Sequence, residues 1–130
     1  MAIDCIEEVP GAVELSNWFG GFPSFHDANA DLQVSGGGTG WLKVFGFRMT
    51  DKVDAKGFFV SEKHFAATFF FDEIRSISLA DFLPGLSILY GLDIKKAGED
   101  FVMTFDSSYG MAGTIVSRKL RLEFEPGAKL

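Results

Sequence analysis

From Ala28 the chain alternates: Ala28, Ala30, Leu32 and Val34 share one face, while Asn29, Asp31 and Gln33 share the other. That period of two predicts a half-buried strand. Gly36-Gly37-Gly38-Thr39-Gly40 predicts a loop, and residues 41–48 a return strand completing a hairpin. Residues 51–57 are polar and charged and read as a second loop. Residues 58–71 are aromatic and β-rich, most strongly from His64 to Phe71. Residues 74–79 alternate again, with Arg75 put out of phase by a bulge near Asp72-Glu73. Pro84-Gly85 marks a turn, after which Leu86, Ile88, Tyr90, Leu92 and Ile94 fall on one face of a strand. Gly98-Glu99-Asp100 turns into a strand carrying Phe101, Met103 and Phe105, and residues 107–110 turn once more. The last strand spans 112–125, with Leu120, Leu122 and Phe124 inward and Lys119, Arg121, Glu123 and Glu125 outward. Ala30, Leu32, Val34, Leu120, Leu122 and Phe124 are thus expected in the core.

Ahead of the strands, residues 10–19 predict one short helix. Pro10 suits its first position, Ala12, Leu15, Trp18 and Phe19 share a face, and Gly20-Gly21 stops it. About seven strands on short turns, with no helical crossover to allow parallel pairing, predict a mainly β fold, α+β at most. The expected architecture is an antiparallel sandwich or partly closed barrel, with residues 1–130 forming a single domain.

Composition sharpens this picture. Fifteen phenylalanines against two tyrosines point to a thick apolar core, because Phe buries a large area and needs no polar partner. A formal charge of −6 disfavours nucleic acid and anionic membrane as direct ligands and suits a basic partner, although solubility explains it as well. Cys5 is the single cysteine, so no intrachain disulfide can form. Asp4, Glu7 and Glu8 occupy the place of a signal peptide's basic and apolar regions, and no apolar run reaches the roughly 18 residues of a membrane span. A cytoplasmic location is expected.

The chemistry-bearing residues gather in Trp18 and Phe22-Pro23-Ser24-Phe25-His26-Asp27-Ala28. Ser24, His26 and Asp27 suggest a hydrolase relay. On an extended segment, however, Ser24 and His26 lie roughly 6.5–7 Å apart on one face, and Asp27 points to the other. His26 continues the inward face of Ala28 and Ala30, so it is expected as a buried or half-buried, hydrogen-bonded structural histidine. Asp27-x-Asn29-x-Asp31 opens like a calcium loop, but Leu32 stands where the glycine belongs and Gly38 where the bidentate glutamate belongs. No metal or other cofactor is expected. The Gly36–Gly40 run precedes a strand rather than a helix, so it is not a phosphate cradle. Phe65, Phe69 and Phe71 could line an apolar ligand cavity or, at period two, form ordinary core.

Trp18 with Phe22-Pro23-Ser24-Phe25-His26-Asp27-Ala28 resembles the "W…WPSFHDA" opening of the small bacterial proteins grouped as immunity protein 50. The stretch from Thr68 to Leu79 is similar to that group's apolar strand, acidic turn and alternating strand, and the resemblance runs over residues 15–126. Phe22 replaces a tryptophan, and Leu83-Pro84-Gly85 replaces an asparagine-bearing segment. The resemblance implies a non-enzymatic antidote that occludes a cognate toxin. Asp27, Asn29 and Asp31 are the candidate partner-binding residues, on a solvated strand face with exposed aromatics as anchors. The alternative expectation is a small apolar-ligand binder or a small enzyme using His26.

Overall fold

The computed structural model describes residues 3–130. A 3-10 turn at Ile6–Glu8 leads into helix α1, Ala12–Phe19. Then come β1 (Asn29–Val34), β2 (Gly40–Val53), β3 (Phe59–Ala80), β4 (Ser87–Ala97), β5 (Asp100–Tyr109) and β6 (Ala112–Pro126). Every pairing between these strands is antiparallel, and they close into a barrel in the order β1-β2-β3-β6-β5-β4. The closing seam is narrow: β1 meets β4 only at Asn29↔Ile88 and Ala30↔Ser87. The mainly β, barrel-like architecture expected from the alternation is therefore present. Among the described residues, no helix is long and apolar enough to cross a membrane.

Six strands rather than about seven arise because residues 58–71 and 74–79 belong to one continuous strand. Two left-handed joints, Lys63 (φ 50°) and Glu73 (φ 52°), divide that 22-residue strand. A register shift lies at Ile74/Ser76, where Arg75 is the extra residue. Between the joints, Phe65–Phe71 pairs with β2 on one side and β6 on the other. Phe65, Ala67, Phe69 and Phe71 point inward there and are buried. Before and beyond the joints β3 leaves the core, and Phe59 and Ile77 are exposed. The charged loop expected at 51–57 shrinks for the same reason: β2 runs on to Val53 and forms an arm with the start of β3.

The inward set is close to expectation with two corrections. Ala30, Leu120 and Leu122 are buried, and Leu32 and Phe124 are half-buried against the core. Val34 is exposed, because β1 ends there at the rim and has no layer left to cover it. In β4 the expected face is inverted at its start: Ser87 and Leu89 are buried while Ile88 and Tyr90 are exposed. Register shifts at Ile88/Leu89 and Leu89/Gly91 restore the expected phase, so Leu92 and Ile94 are buried. The alternation of Leu86, Ile88, Tyr90, Leu92 and Ile94 is unbroken in the sequence and so carries no signal for this bulge. Residues 107–109 likewise continue β5 instead of turning.

Helix α1 covers the core with Ala12 and Leu15, both fully buried. It begins after Gly11 rather than at Pro10, because Pro10 is spent on the sheet: its carbonyl accepts Leu122 N–H at 2.7 Å. Gly11 (φ 93°) allows this approach, since a Cβ there would lie 1.8 Å from the Leu122 carbonyl oxygen. Gly20 ends the helix in the left-handed region and returns its N–H to Ser16 O. The last turn has no basic residue of its own. Its carbonyls are capped from the barrel instead: Lys63 Nζ donates to Trp18 O at 2.8 Å, and Arg48 donates to Phe19 O. Both cations also sit over the Trp18 and Phe19 rings, so they complement the helix dipole and pin the following turn to β2 and β3.

Candidate functional site

The turn after α1 stands on an aromatic base. Phe65 lies at its centre, with ring centroids of Phe19 at 5.3 Å, Trp18 at 5.9 Å and Phe25 at 6.1 Å. Phe22 packs edge-on against Phe25 at 5.7 Å. Gly46 makes room for this cluster, as a Cβ there would lie 2.5 Å from Phe65 Cζ. Phe25 and Pro23 are buried, Trp18 and Phe22 half-buried, and Ser24, His26 and Asp27 exposed.

Two residues of the turn have left-handed backbone, Phe25 (φ 60°) and Asp27 (φ 65°). Asp tolerates that region, whereas a bulky Phe does so only when its surroundings hold it there. Burial of the Phe25 ring supplies the hold, and Ala28 N–H closes the turn on Phe25 O at 3.2 Å. Asp27 N–H then donates to Leu89 O, and Leu89 N–H to Ala28 O, which ties the turn to β4.

This geometry corrects the expected placement of His26. The left-handed residues on either side interrupt the strand alternation, so His26 leaves the inward face and its side chain is 54% exposed. Its Nδ1 lies 3.2 Å from Asp27 Oδ2, and its ring meets Tyr90 edge-on at 5.3 Å. Ser24 Oγ accepts the His26 backbone N–H at 3.4 Å, so the hydroxyl is engaged with the main chain. Ser24 and His26 border a small cavity of about 200 Å3 with Arg48, and no carboxylate lines it. The Ser24, His26 and Asp27 side chains thus form an exposed corner without a relay.

Asp27, Asn29 and Asp31 do not form one face. Asp27 belongs to the turn, while Asn29 and Asp31 are half-buried in β1, Asn29 between β2 and β4 and Asp31 opposite Lys43 of β2. What the corner does gather is aromatic. Ile88, exposed, stands opposite exposed Tyr109. Tyr109 Oη donates to Pro84 O at 3.3 Å, drawing in the loop that carries Phe82 and Leu83. Tyr90 is 64% exposed and Phe82 69% exposed.

The sequence gives no pointer to a second polar pair, Ser61 and His64. Three residues apart, they would face opposite ways on a regular strand, but the left-handed Lys63 turns them together, with Ser61 Oγ 3.0 Å from His64 Nε2. His64 stacks on Phe47, and burial, helped by Lys129, lowers its pKa below the ordinary histidine value. Among the described residues, the hydrogen-bond partner of this imidazole is the Ser61 hydroxyl rather than the carboxylate that would orient a catalytic base. Burial, aided by Asp4, pushes the Cys5 thiol up to about 11, which leaves it a poor nucleophile. Among the described residues, no group of three His, Cys, Asp or Glu side chains could hold a metal ion. No protein-family model, curated protein or solved structure matches the chain.

Proposed function

We propose that the chain is a non-enzymatic, cytoplasmic protein-binding module of the immunity type, which occludes the functional surface of a cognate toxin. The observation that carries this reading is the distribution of phenol and phenyl rings. The chain has only two tyrosines, and both are exposed, Tyr90 against His26 and Tyr109 opposite Ile88 on the next strand, whereas most of the fifteen phenylalanines pack in or against the core. Tyrosine suits an interface because its ring supplies rigid apolar area and its hydroxyl remains satisfied wet or dry. Tyr90, Tyr109 and Ile88 would serve as anchors, with Phe82 from the adjoining loop. Asp27, and the overall charge of −6, would steer the corner onto a basic surface.

Co-expression and co-purification with the products of neighbouring genes is the direct test. The reading expects one of them to form a stable complex and to lose its toxicity. A Tyr90→Ala/Asp27→Lys double variant should remain folded and lose the complex. Absence of any complex and any protection across those products would sink the proposal.

A further inference from the structure

Away from that corner lies an open groove of about 840 Å3 whose charge is opposite to that of the chain. The chain has 12 Lys and Arg against 18 Asp and Glu. The groove is lined by four cations, Lys96, Arg118, Lys119 and Arg121, and by only two carboxylates, Glu8 and Asp72. Strand register explains the convergence. Trp41, Phe70 and Arg121 stand opposite one another across β2, β3 and β6, and one rung on from Gly40↔Phe71, Asp72 faces Lys119. The Arg121 guanidinium lies 4.0 Å over the Phe70 ring, and across the groove the Lys96 ammonium lies 4.0 Å from the Phe101 ring centroid.

These cations are held loosely. Their partners are Glu8 for Lys96 (3.6 Å), Glu99 for Arg118 (3.2 Å), Glu73 for Lys119 (3.2 Å) and Glu123 for Arg121. Of these carboxylates only Glu8 lines the groove, and each is more than half exposed. Such water-facing pairs are weak, and each guanidinium has five donors, so an entering anion can share a cation without first stripping it. The volume lies within the roughly 300–1,000 Å3 of small-molecule sites, and the mixture of aromatic rings and accessible cations is what such a site needs to take a flat ring bearing an acid.

We propose that the groove binds a small organic anion with a flat aromatic body: its ring lies against Trp41, beside the Arg121 guanidinium that covers Phe70, and its carboxylate, sulfonate or phosphate engages Arg118 and Arg121. This site is independent of the tyrosine corner. Naphthalene-2-sulfonate is the probe, measured by titration calorimetry and by the indole N–H signals of the two tryptophans, Trp41 in the groove and Trp18 in the last turn of α1. The expected result is one site per chain that moves the Trp41 signal and leaves Trp18 in place. An Arg118→Gln/Arg121→Gln variant with an unchanged melting temperature should bind roughly tenfold more weakly or worse, since it removes both charge-assisted contacts. Lys96→Gln, which spares β6, provides a second charge variant in the same direction. Hexane-1-sulfonate, which lacks the ring, and neutral 2-naphthalenemethanol should both bind more weakly than the probe. Absence of binding, a shift confined to Trp18, equal affinity for the neutral alcohol, or affinity within twofold of wild type in the double variant would each overturn the proposal.

Discussion

The tyrosine corner and the cationic groove are built in opposite ways. The corner is seated on one short stretch of chain, Phe22 to Ala28, which two left-handed residues fold on itself and two backbone hydrogen bonds fasten to β4, so that Tyr90 stands against His26. The groove comes from residues as far apart as Trp41 and Arg121, aligned only by the barrel's register. The corner presents tyrosine and Asp27 from an acidic protein, whereas the groove gathers a third of that protein's cations. A net charge of −6 therefore says little about either surface alone. The two proposed sites thus place exposed aromatic rings on one part of the barrel and a cationic groove on another.

The sharpest way to break the comparison is to remove the corner's foundation. Phe25 is 3% exposed and meets Phe22, Phe65 and Phe69. Phe25→Ala should cost about 3–5 kcal/mol in chemical denaturation, part of it from the void left among those rings. An unchanged midpoint would mean that the ring does not anchor the left-handed turn. Gly46→Ala attacks the same base from the other side by driving a methyl into Phe65, and overpacking of that kind costs about 1–3 kcal/mol. If the corner depends on Phe65 and the groove does not, a surviving Gly46→Ala protein should lose partner binding before it loses naphthalene-2-sulfonate. Equal loss of both would mean that the two surfaces are not separable.

A cross-test then sharpens the difference without touching the core. Tyr90→Ala should weaken partner association by about tenfold or more, as truncation of an interface anchor does, and leave the groove probe unaffected. Arg118→Gln/Arg121→Gln should do the reverse. Either variant affecting both ligands would merge the two sites into one.

How much of this was open to sequence reading follows from the same contrast. Alternation alone predicts β1, the inward Leu120 and Leu122, and a mainly β fold. The aromatic run before Ala28 points to the corner because its residues are contiguous. The phase break at Arg75 marks the joint near Glu73, but alternation misses other places where φ becomes positive or a bulge intrudes. His26 turns outward between Phe25 and Asp27, Ile88 and Tyr90 exchange faces with Ser87 and Leu89, and Ser61 meets His64 across Lys63. Phe25 and Lys63 carry no sequence mark for the left-handed region, unlike glycine or, more weakly, Asp27. The groove is harder still: Arg118-Lys119-x-Arg121 reads as a solvated strand face until β3 and β2 set Phe70 and Trp41 beside it.

Protonation gives a smaller effect, located in neither surface. The pKa of His64 is lowered in the fold, mainly by burial, so the unfolded chain binds its proton more readily. The contribution of neutral His64 is fully present above the unfolded value of about 6.5 and is lost as pH falls through the depressed folded value. Stability measured by denaturation should therefore decline on acidification below about pH 6.5, and the slope in that window should flatten in His64→Gln. An identical slope in the variant would assign the pH dependence to other groups.

The smallest effect on stability should come from His26, the residue that sequence alternation expects to find inward. Its side chain is about half exposed, its nearest charged neighbour is the adjacent Asp27, and its ring only touches the edge of Tyr90. The turn itself is held by Phe25, by the Ala28-to-Phe25 hydrogen bond and by the two links to Leu89, none of which uses the imidazole. His26→Ala should therefore shift unfolding by no more than about 0.5 kcal/mol, the usual range for a surface substitution. It should nevertheless weaken partner association, because the imidazole stands beside Tyr90 on the proposed interface. A stability loss above about 1 kcal/mol would return His26 to a structural role and require a buried partner that the exposed ring does not have. No change in either stability or association would move the interface along β4 and β5, towards Ile88 and Tyr109, and away from the turn.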